Sequence, residues 1–439
     1  MELSAHQKSK ISGLGNIAGQ PWISLVFFLF FARGFSTVLI DTLIPKLKSL
    51  FELSYAEAML TQLCFFFGYL VFSIPAAMVL ARVGYIRAIV LGLAVMTTAC
   101  VIFSPAALLG LYAGILAALF VLAAGMTVLQ VATIPLVTLL GPPKWSHSRL
   151  TLAQAFNSLG TTVGPLVGAW LILGPVKQPY PGQTLEAKTA IQLAQRYALE
   201  RPFLAIGCAL AVIAAIFWSR RPSPAPRIHA TGNQKFWRSS LFRNRRFVLG
   251  AISIFVYVGA EVSIGSIMVN YLMQGSVLAV AASRAGQLVS LYWGGAMFGR
   301  FIGSAALRTV PPGIALSFCA SLAALLAVLS FGTTGMIAGV SIIAIGLCNS
   351  IMFPTIFALA IEDIGDRRAE GSGILCMANV GGAIVPLIAG IVADLRGLTF
   401  ALLIPVLCYV WIAIYGSYSS RYPSRATKAD LTGGPLSVS

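Results

Sequence analysis

Two carboxylates stand inside apolar stretches that are long enough to cross a lipid bilayer. Asp41 lies in the stretch 22–44, and Glu261 lies in the stretch 247–273. An ionisable group at membrane depth costs several kcal/mol on insertion scales, so it marks a functional site by default. The alternative is a carboxylate at a helix end, in the headgroup region. That alternative fits Asp41, which is near the end of its stretch, better than Glu261, which is in the middle.

Arg33 is the one basic residue that we place inside an apolar stretch. A guanidinium stays charged, so it needs an anionic or polar partner or a path to the interface. Asp41 is eight residues further along, about 12 Å on a helix, which is too far for direct contact. Three interpretations stay open: pairing with another carboxylate, binding of substrate oxygens, and extension of the side chain to the membrane surface.

Side-chain amides recur inside the same apolar stretches. They carry donors and acceptors without charge, which suits a polyhydroxylated ligand. Tyrosines nearby could stack on the apolar face of a sugar. The alternative for any single amide is a hydrogen bond that joins two helices. The candidate binding residues are Gln62, Gln130, Gln154, Asn157, Asn270, Gln287, Asn349 and Asn379, together with Arg33, Tyr257 and Tyr292.

The composition is that of a polytopic membrane protein. Of 439 residues, 58% are hydrophobic and 10% are charged, and the mean hydropathy is +0.87, whereas soluble domains carry about 25% charged residues. The net charge of +17 is spread over short loops, without a basic face that interleaves aromatic residues, so we exclude nucleic-acid binding. Twelve apolar runs can span a bilayer: 22–44, 56–80, 85–104, 108–139, 149–174, 202–219, 247–273, 282–307, 313–331, 334–361, 370–393 and 398–418.

A basic segment, 220–246, divides the runs into two sets of six. Most of the 30 Lys and Arg residues fall on one side of the runs, and the positive-inside rule therefore places both termini in the cytoplasm. In the outward loop 175–201, two stretches could form a short surface helix. We predict an all-α membrane protein with an N-terminal six-helix bundle (1–219), a cytoplasmic linker (220–246), a C-terminal six-helix bundle (247–418) and a cytoplasmic tail (419–439).

The two sets of six runs are similar to each other. The fourth run contains LQVATIPLV and the tenth contains CNSIMFPTIF, and alignment of their prolines places Gln130 opposite Asn349. The fifth and eleventh runs place Gly160 opposite Gly381. Two parallel six-helix halves are the arrangement of one large class of transporters. The third, sixth, ninth and twelfth runs carry few polar groups, so we expect them to face lipid.

Catalytic and metal-binding patterns are missing from the sequence. The seven cysteines all lie in apolar runs without a CxxC pair, and His6, His147 and His229 fall in tails or loops. There is no set of nucleophile and base and no phosphate-binding loop. We therefore expect no enzymatic activity, no metal and no cofactor. Residues 1–20 are polar and lack the pattern of a signal peptide, so we expect a cytoplasmic tail.

Four stretches resemble the major facilitator superfamily and, within it, the fucose/glucose–galactose permease family. They are 40–80, 140–168, 257–272 and 352–390. The third, YVGAEVSIGSIMVNYL, is more similar to the glucose/galactose branch than to the fucose branch. The resemblance implies twelve transmembrane helices in two pseudo-symmetric bundles, located in the inner membrane. It also implies import of a sugar with protons by alternating access.

The resemblance further implies roles for single positions. An aspartate of the family's first helix matches Asp41, which would carry the coupling proton. The family's fourth-helix glutamate is replaced by Gln130, which cannot titrate. Arg33 stands in place of a first-helix tryptophan, Ile40 in place of an asparagine, and Asn379 in place of an apolar residue. These departures make a modified or charged sugar a candidate substrate beside an ordinary hexose.

These patterns together predict a secondary transporter that imports a hexose or modified hexose with protons. Asp41 and Glu261 are the predicted proton-coupling groups. The expected partners are the sugar, a proton or alternatively sodium, and the lipid bilayer, and we expect a monomer. Two alternatives stay open. One is an exporter of drugs or metabolites on the same fold, which the many amides disfavour, and the other is a membrane sensor that binds sugar without transport, which the missing fourth-helix carboxylate favours.

Overall fold

A computed structural model describes residues 20–51, 55–172, 185–220 and 241–422 of the chain. Nearly all of these residues are helical. This follows from the composition, because lipid offers no hydrogen bonds and a helix satisfies its own backbone N–H and C=O groups.

Six helices form in the first half of the described chain, in the order of the predicted runs. Short turns with glycine separate the second, third and fourth helices, and a 3-10 turn, Pro143–Trp145, precedes the fifth. They are α1 (Gln20–Leu50), α2 (Tyr55–Val83), α3 (Tyr85–Leu109), α4 (Tyr112–Leu139), α5 (Ser146–Ile172) and α6 (Leu185–Ser219).

The second half repeats this order, but its last three runs are each divided. Asn244 is the N-cap of the first helix of this half, because its Oδ1 accepts a hydrogen bond from the Phe247 N–H at 3.2 Å. The undivided helices are α7 (Arg245–Met273), α8 (Ala282–Ala306) and α9 (Pro312–Gly332). The divided runs form α10 (Gly335–Asn349) with α11 (Met352–Ile361), α12 (Arg368–Met377) with α13 (Gly381–Arg396), and α14 (Leu398–Ala401) with α15 (Leu403–Arg421).

Nine helical segments in the described ranges are long and apolar enough to cross a membrane. Within the described side chains, α1 has an apolar stretch at Trp22–Thr37, and α5 and α8 are not among the nine. α5 and α8 carry several of the predicted polar residues, which lowers their mean hydropathy. With these three helices, the helix count is consistent with the predicted twelve.

The predicted surface helix in the loop 175–201 is wrong, because the second part of this loop belongs to α6, a continuous helix of 35 residues. Its polar residues bind the end of α3. Arg196 Nη1 donates to the Leu108 carbonyl at 2.9 Å, and Glu200 Oε1 accepts from the Ser104 hydroxyl at 2.7 Å. These partners allow the helix to extend beyond the apolar run from which its length was predicted.

The chain groups into two compact units. One consists of Met1–Thr133 with Phe156–Ile228, and the other of Ile134–Ala155 with His229–Ser439. The domain boundaries predicted at the basic segment 220–246 remain a prediction, because most of that segment lies outside the described residues.

Candidate functional site

The first unit holds a buried guanidinium among neutral polar side chains. Arg33 on α1 donates from Nη1 to Oε1 of Gln130 on α4 at 2.7 Å, and from Nε to Oδ1 of Asn157 on α5 at 3.1 Å. Tyr69 on α2 donates its hydroxyl to the same Gln130 oxygen at 3.1 Å. Arg33 is only 8% exposed. Three helices therefore meet at one cation, which two amide oxygens stabilise, and the fourth helix is joined to them through Gln130.

Close packing of α1 against α5 brings Arg33 within reach of Asn157. Gly34 faces the backbone oxygen of Asn157, and Gly160 faces the backbone oxygen of Phe31. A Cβ atom on either glycine would overlap that oxygen. Small residues at helix crossings allow such close approach in membrane proteins. The polar cluster of the first unit thus depends on two glycines as well as on its own polar residues.

The second unit holds a carboxylate in a cluster of tyrosine and asparagine side chains. The hydroxyl oxygen of Tyr257 on α7 lies 2.8 Å from Oε1 of Glu261 and 3.0 Å from the carbonyl oxygen of Asn349 on α10. Asn349 Nδ2 donates to the hydroxyl oxygen of Tyr292 on α8 at 2.8 Å. Tyr257, Tyr292 and Asn349 are fully buried. Glu261 is therefore joined through Tyr257 to a hydrogen-bonded group from three helices.

Arg300 is a second basic residue inside a helical span, which corrects the prediction that Arg33 is the only one. It belongs to α8, near the C-terminal end. Its Nη2 lies 3.9 Å from Glu261 Oε1, and its Nε donates to the Ser350 carbonyl at 3.2 Å. The Arg300 and Glu261 side chains are 13% and 15% exposed. The predicted run 282–307 contains Arg300, so the sequence already placed this charge inside a span, and the structure adds its contact with the partly buried Glu261 carboxylate.

The clusters of the two units occupy equivalent helix positions. In each half, a tyrosine of the second helix contacts the amide of the fourth: Tyr69 contacts Gln130, and Tyr292 contacts Asn349. The alignment that placed Gln130 opposite Asn349 is thus confirmed by their contacts. Neither tyrosine partnership was predicted: Tyr292 was a candidate for binding sugar and not a partner of Asn349, and Tyr69 was not a candidate.

Helix packing confirms the second part of the alignment. Gly381 on α13 faces the backbone oxygen of Phe255 on α7, as Gly160 faces that of Phe31 on α1. In both halves, a glycine of the fifth span permits close contact with the first span. The repeat is therefore one of backbone geometry as well as of sequence.

Four other predicted residues lie on α1, on α2, on α5 and in the turn between α12 and α13. Asp41 and Gln62 lie on α1 and α2, and their side chains are outside the described part of the chain. Gln154 on α5 is buried, at 4% exposed. Asn379 is also buried, in the 3-10 turn Ala378–Val380 between α12 and α13.

The last two predicted amides are exposed on the helix surface. They are Asn270 on α7 and Gln287 on α8. Gln287 Oε1 accepts a hydrogen bond from Arg284 Nη1, one turn earlier on the same helix, at 2.9 Å. The structure therefore places these two amides outside the buried clusters.

A third charged cluster was not predicted from the sequence. His147 Nε2 lies 2.6 Å from Oε1 of Glu362, and Arg246 Nη2 donates to Oε2 of the same carboxylate at 2.6 Å. The three residues belong to the first turn of α5, the turn after α11 and the first turn of α7. All three looked like loop residues in the sequence, since each lies where an apolar run begins or ends.

Comparison with known proteins places the chain in a family. A profile described as Major Facilitator Superfamily matches residues 26–386. The chain belongs to this superfamily. A "Glucose/galactose transporter" of Brucella abortus is 49% identical over 90% of this chain and 92% of its own length. The "L-fucose-proton symporter" of Escherichia coli is 31% identical over 91% of this chain and 93% of its own length.

A solved structure of the superfamily has the same fold. FucP, a Major Facilitator Superfamily transporter crystallised in the outward conformation, superposes with a TM-score of 0.83 at 28% identity, over 91% of this chain and 99% of its own. The predicted fold class and the predicted resemblance to sugar permeases are thereby confirmed. The chain is a multi-pass membrane protein whose relatives are sugar transporters.

Proposed function

We propose that this superfamily member imports a hexose or modified hexose together with protons across the inner membrane, with both termini cytoplasmic. The observation that carries the proposal is Glu261, with a side chain only 15% exposed, and its hydrogen-bonded cluster, in a chain 49% identical to a protein named as a glucose/galactose transporter. A carboxylate at membrane depth is retained against its insertion cost when it has a function.

The first unit supplies groups that suit a sugar. Gln130 and Asn157 offer amide donors and acceptors, and Arg33 offers several N–H donors in a planar array. Hydroxyl groups both donate and accept, so they pair with amides without leaving a buried polar atom unsatisfied. Arg33 also provides a positive charge, which would favour a sugar acid over a neutral hexose.

Two carboxylates take the proton-coupling role in this proposal. Glu261 has a hydroxyl donor and a cation beside it, so its charge state affects both neighbours. Asp41 is the second carboxylate on a span of this chain. Protonation neutralises a carboxylate and removes its attraction for a cation, which gives the protein two electrostatic states.

Reconstituted protein tests the proposal. Purified protein in liposomes should accumulate labelled glucose or galactose when the proton gradient points inward. We expect Asp41→Asn to abolish accumulation and to retain counterflow exchange, because exchange requires binding and movement without net proton transfer. Asp394→Asn, at an exposed position of α13, is the charge-matched control and should accumulate sugar normally.

The outcomes separate the alternatives. Accumulation by Asp41→Asn equal to that of the wild type would remove Asp41 from the coupling. Accumulation driven by an inward sodium gradient at constant pH would replace the proton with sodium. Saturable sugar binding without counterflow would favour a sensor, and loss of preloaded substrate against an inward proton gradient would favour an exporter.

A further inference from the structure

The interruption of the tenth span is bonded to the residues around Glu261. Helix α10 ends at Asn349 and α11 begins at Met352. The last carbonyl groups of a helix have no partner within it, so they need other donors. Here the Asn349 carbonyl lies 3.0 Å from the Tyr257 hydroxyl, and the Ser350 carbonyl accepts from Arg300 Nε at 3.2 Å.

Both donors at this interruption also contact Glu261. The Tyr257 hydroxyl oxygen lies 2.8 Å from Glu261 Oε1, and Arg300 Nη2 lies 3.9 Å from the same oxygen. A tyrosine hydroxyl has one proton. While Glu261 is ionised, that proton must serve both the carboxylate and the Asn349 carbonyl.

Protonation of Glu261 resolves this competition. A protonated Glu261 can donate to the Tyr257 oxygen, and Tyr257 can then donate its own proton fully to the Asn349 carbonyl. The same protonation removes the negative charge that attracts the Arg300 guanidinium. The proton therefore adds one donor to the group and weakens the attraction on Arg300, which keeps its bond to the Ser350 carbonyl, with no other change in covalent structure.

We infer that Arg300 and Tyr257 are positioning residues that couple the proton on Glu261 to the conformation of the segment between α10 and α11. The inference rests on the proposed function only in taking Glu261 as a proton-coupling group. Among the described groups that interact electrostatically with Glu261, Arg300 is the cation, and Tyr257, Tyr292 and Tyr409 are the other titratable side chains. Ionised Glu261 holds Arg300 close to the interruption, and protonated Glu261 strengthens the bond from Tyr257 to it.

Two measurements on the purified protein without sugar test this inference. Infrared difference spectra across a pH titration report the protonated carboxyl band, which Glu261→Gln identifies by removing it. Hydrogen–deuterium exchange of peptides covering residues 345–355, with every rate divided by the intrinsic amide exchange rate at the same pH, reports the conformation of the interruption. In the wild type, we expect this corrected exchange rate and the Glu261 band to change with one shared midpoint.

The variants separate the roles of the two residues. Arg300→Gln removes the opposite charge and should move the midpoint of the Glu261 band to higher pH by about one unit or more. Tyr257→Phe should keep a Glu261 band and lose the pH dependence of exchange at residues 345–355. Arg284→Gln, which alters an exposed arginine of the same helix, is the control and should change neither readout.

Several results would overturn the inference. A wild-type exchange rate that is independent of pH across the Glu261 titration would do so, as would an unchanged midpoint in folded Arg300→Gln. If Arg300→Gln does not fold, Tyr257→Phe decides alone: retained pH dependence of exchange contradicts the coupling. Because neither measurement uses sugar or a gradient, a failure here differs from a failure of sugar transport.

Discussion

The two halves of the chain place polar side chains at equivalent helix positions but give them different chemistry. In the first half, the described cluster holds a permanent cation, Arg33, bonded to the amides of Gln130 and Asn157. In the second half, the cluster holds a carboxylate, Glu261, with Arg300 beside it. Amides and guanidinium groups do not titrate near neutral pH, whereas a carboxylate can. The difference indicates that proton uptake is possible in the second cluster, and that the first is suited to binding.

The largest expected effect is a loss of folded protein when a glycine at either of the two equivalent helix crossings is replaced. Gly160→Val and Gly381→Val each place side-chain atoms against a backbone oxygen of the neighbouring helix. Overpacking of this kind costs about 1–3 kcal/mol, and more when backbone must move. We expect both variants to lose most folded protein, as measured by fluorescence-detected size-exclusion chromatography.

A matched control distinguishes this effect from a general intolerance of valine. Gly390 lies on the same helix as Gly381, and a Cβ atom there would meet nothing within 4 Å. Gly390→Val should therefore yield normal protein. If Gly160→Val also behaves normally while Gly381→Val fails, the equivalence of the two helix crossings does not hold.

The second prediction concerns a variant that places a carboxylate, as found in the second cluster, into the first cluster. Gln130→Glu brings an anion next to Arg33 Nη1 and replaces a neutral acceptor by a charged one. Charged hydrogen bonds contribute about 1 kcal/mol more than neutral ones. We expect a higher unfolding temperature at neutral pH, and the gain should vanish on acidification, because a protonated glutamate no longer carries the charge.

The reciprocal change, Asn349→Asp, should have the opposite sign. It adds a second carboxylate to the cluster of Glu261, and like charges in a buried site destabilise each other. It also removes the Nδ2 donor to Tyr292. Differential scanning fluorimetry should show a lower unfolding temperature at neutral pH that recovers partly on acidification. Shifts of equal sign in the two variants would contradict the chemical difference between the halves.

The smallest predicted effect is the difference in unfolding temperature between variants of the two equivalent tyrosines. Tyr292→Phe removes the acceptor for Asn349 Nδ2 in a fully buried site, which costs about 1–3 kcal/mol. Tyr69→Phe removes one of two donors to Gln130 Oε1, and Arg33 still donates to that oxygen. We therefore expect Tyr292→Phe to lower the unfolding temperature more than Tyr69→Phe. The reverse order would mean that Arg33 does not satisfy Gln130.

Much of the fold could be predicted because membrane spans depend on local composition. Apolar runs near residues 85–104 and 247–273 became α3 and α7 with small shifts at their ends. The alignment of Gln130 with Asn349 was accessible because proline and amide recur at one spacing in both halves. The division of the tenth run at Ser350 has a sequence signal in Pro354, which offers no N–H to the Ser350 carbonyl, whereas the donors Tyr257 and Arg300 lie on other helices and could not be predicted.

The residue types of the candidate site could be predicted from the sequence, whereas most contacts between those residues could not. Glu261 stood out as a charge in the middle of an apolar run, and Arg33 for the same reason. Arg300 lies inside the predicted run 282–307, so its place in a span could also be predicted, and only its contact with Glu261 required the structure. An amide can join a cluster only if it lies on a buried face of its helix. Asn349 does so, whereas Asn270 and Gln287 lie on exposed faces.

Sugar-induced proton movement tests the proton-coupled mechanism most directly. Liposomes containing the purified protein are suspended in weakly buffered medium without a gradient, and glucose or galactose is added outside while a pH electrode records the medium. We expect alkalinisation of the medium with the wild type and none with Glu261→Gln or Asp41→Asn. Sugar entry into wild-type liposomes without any pH change, or equal alkalinisation with both variants, would contradict coupling through these carboxylates.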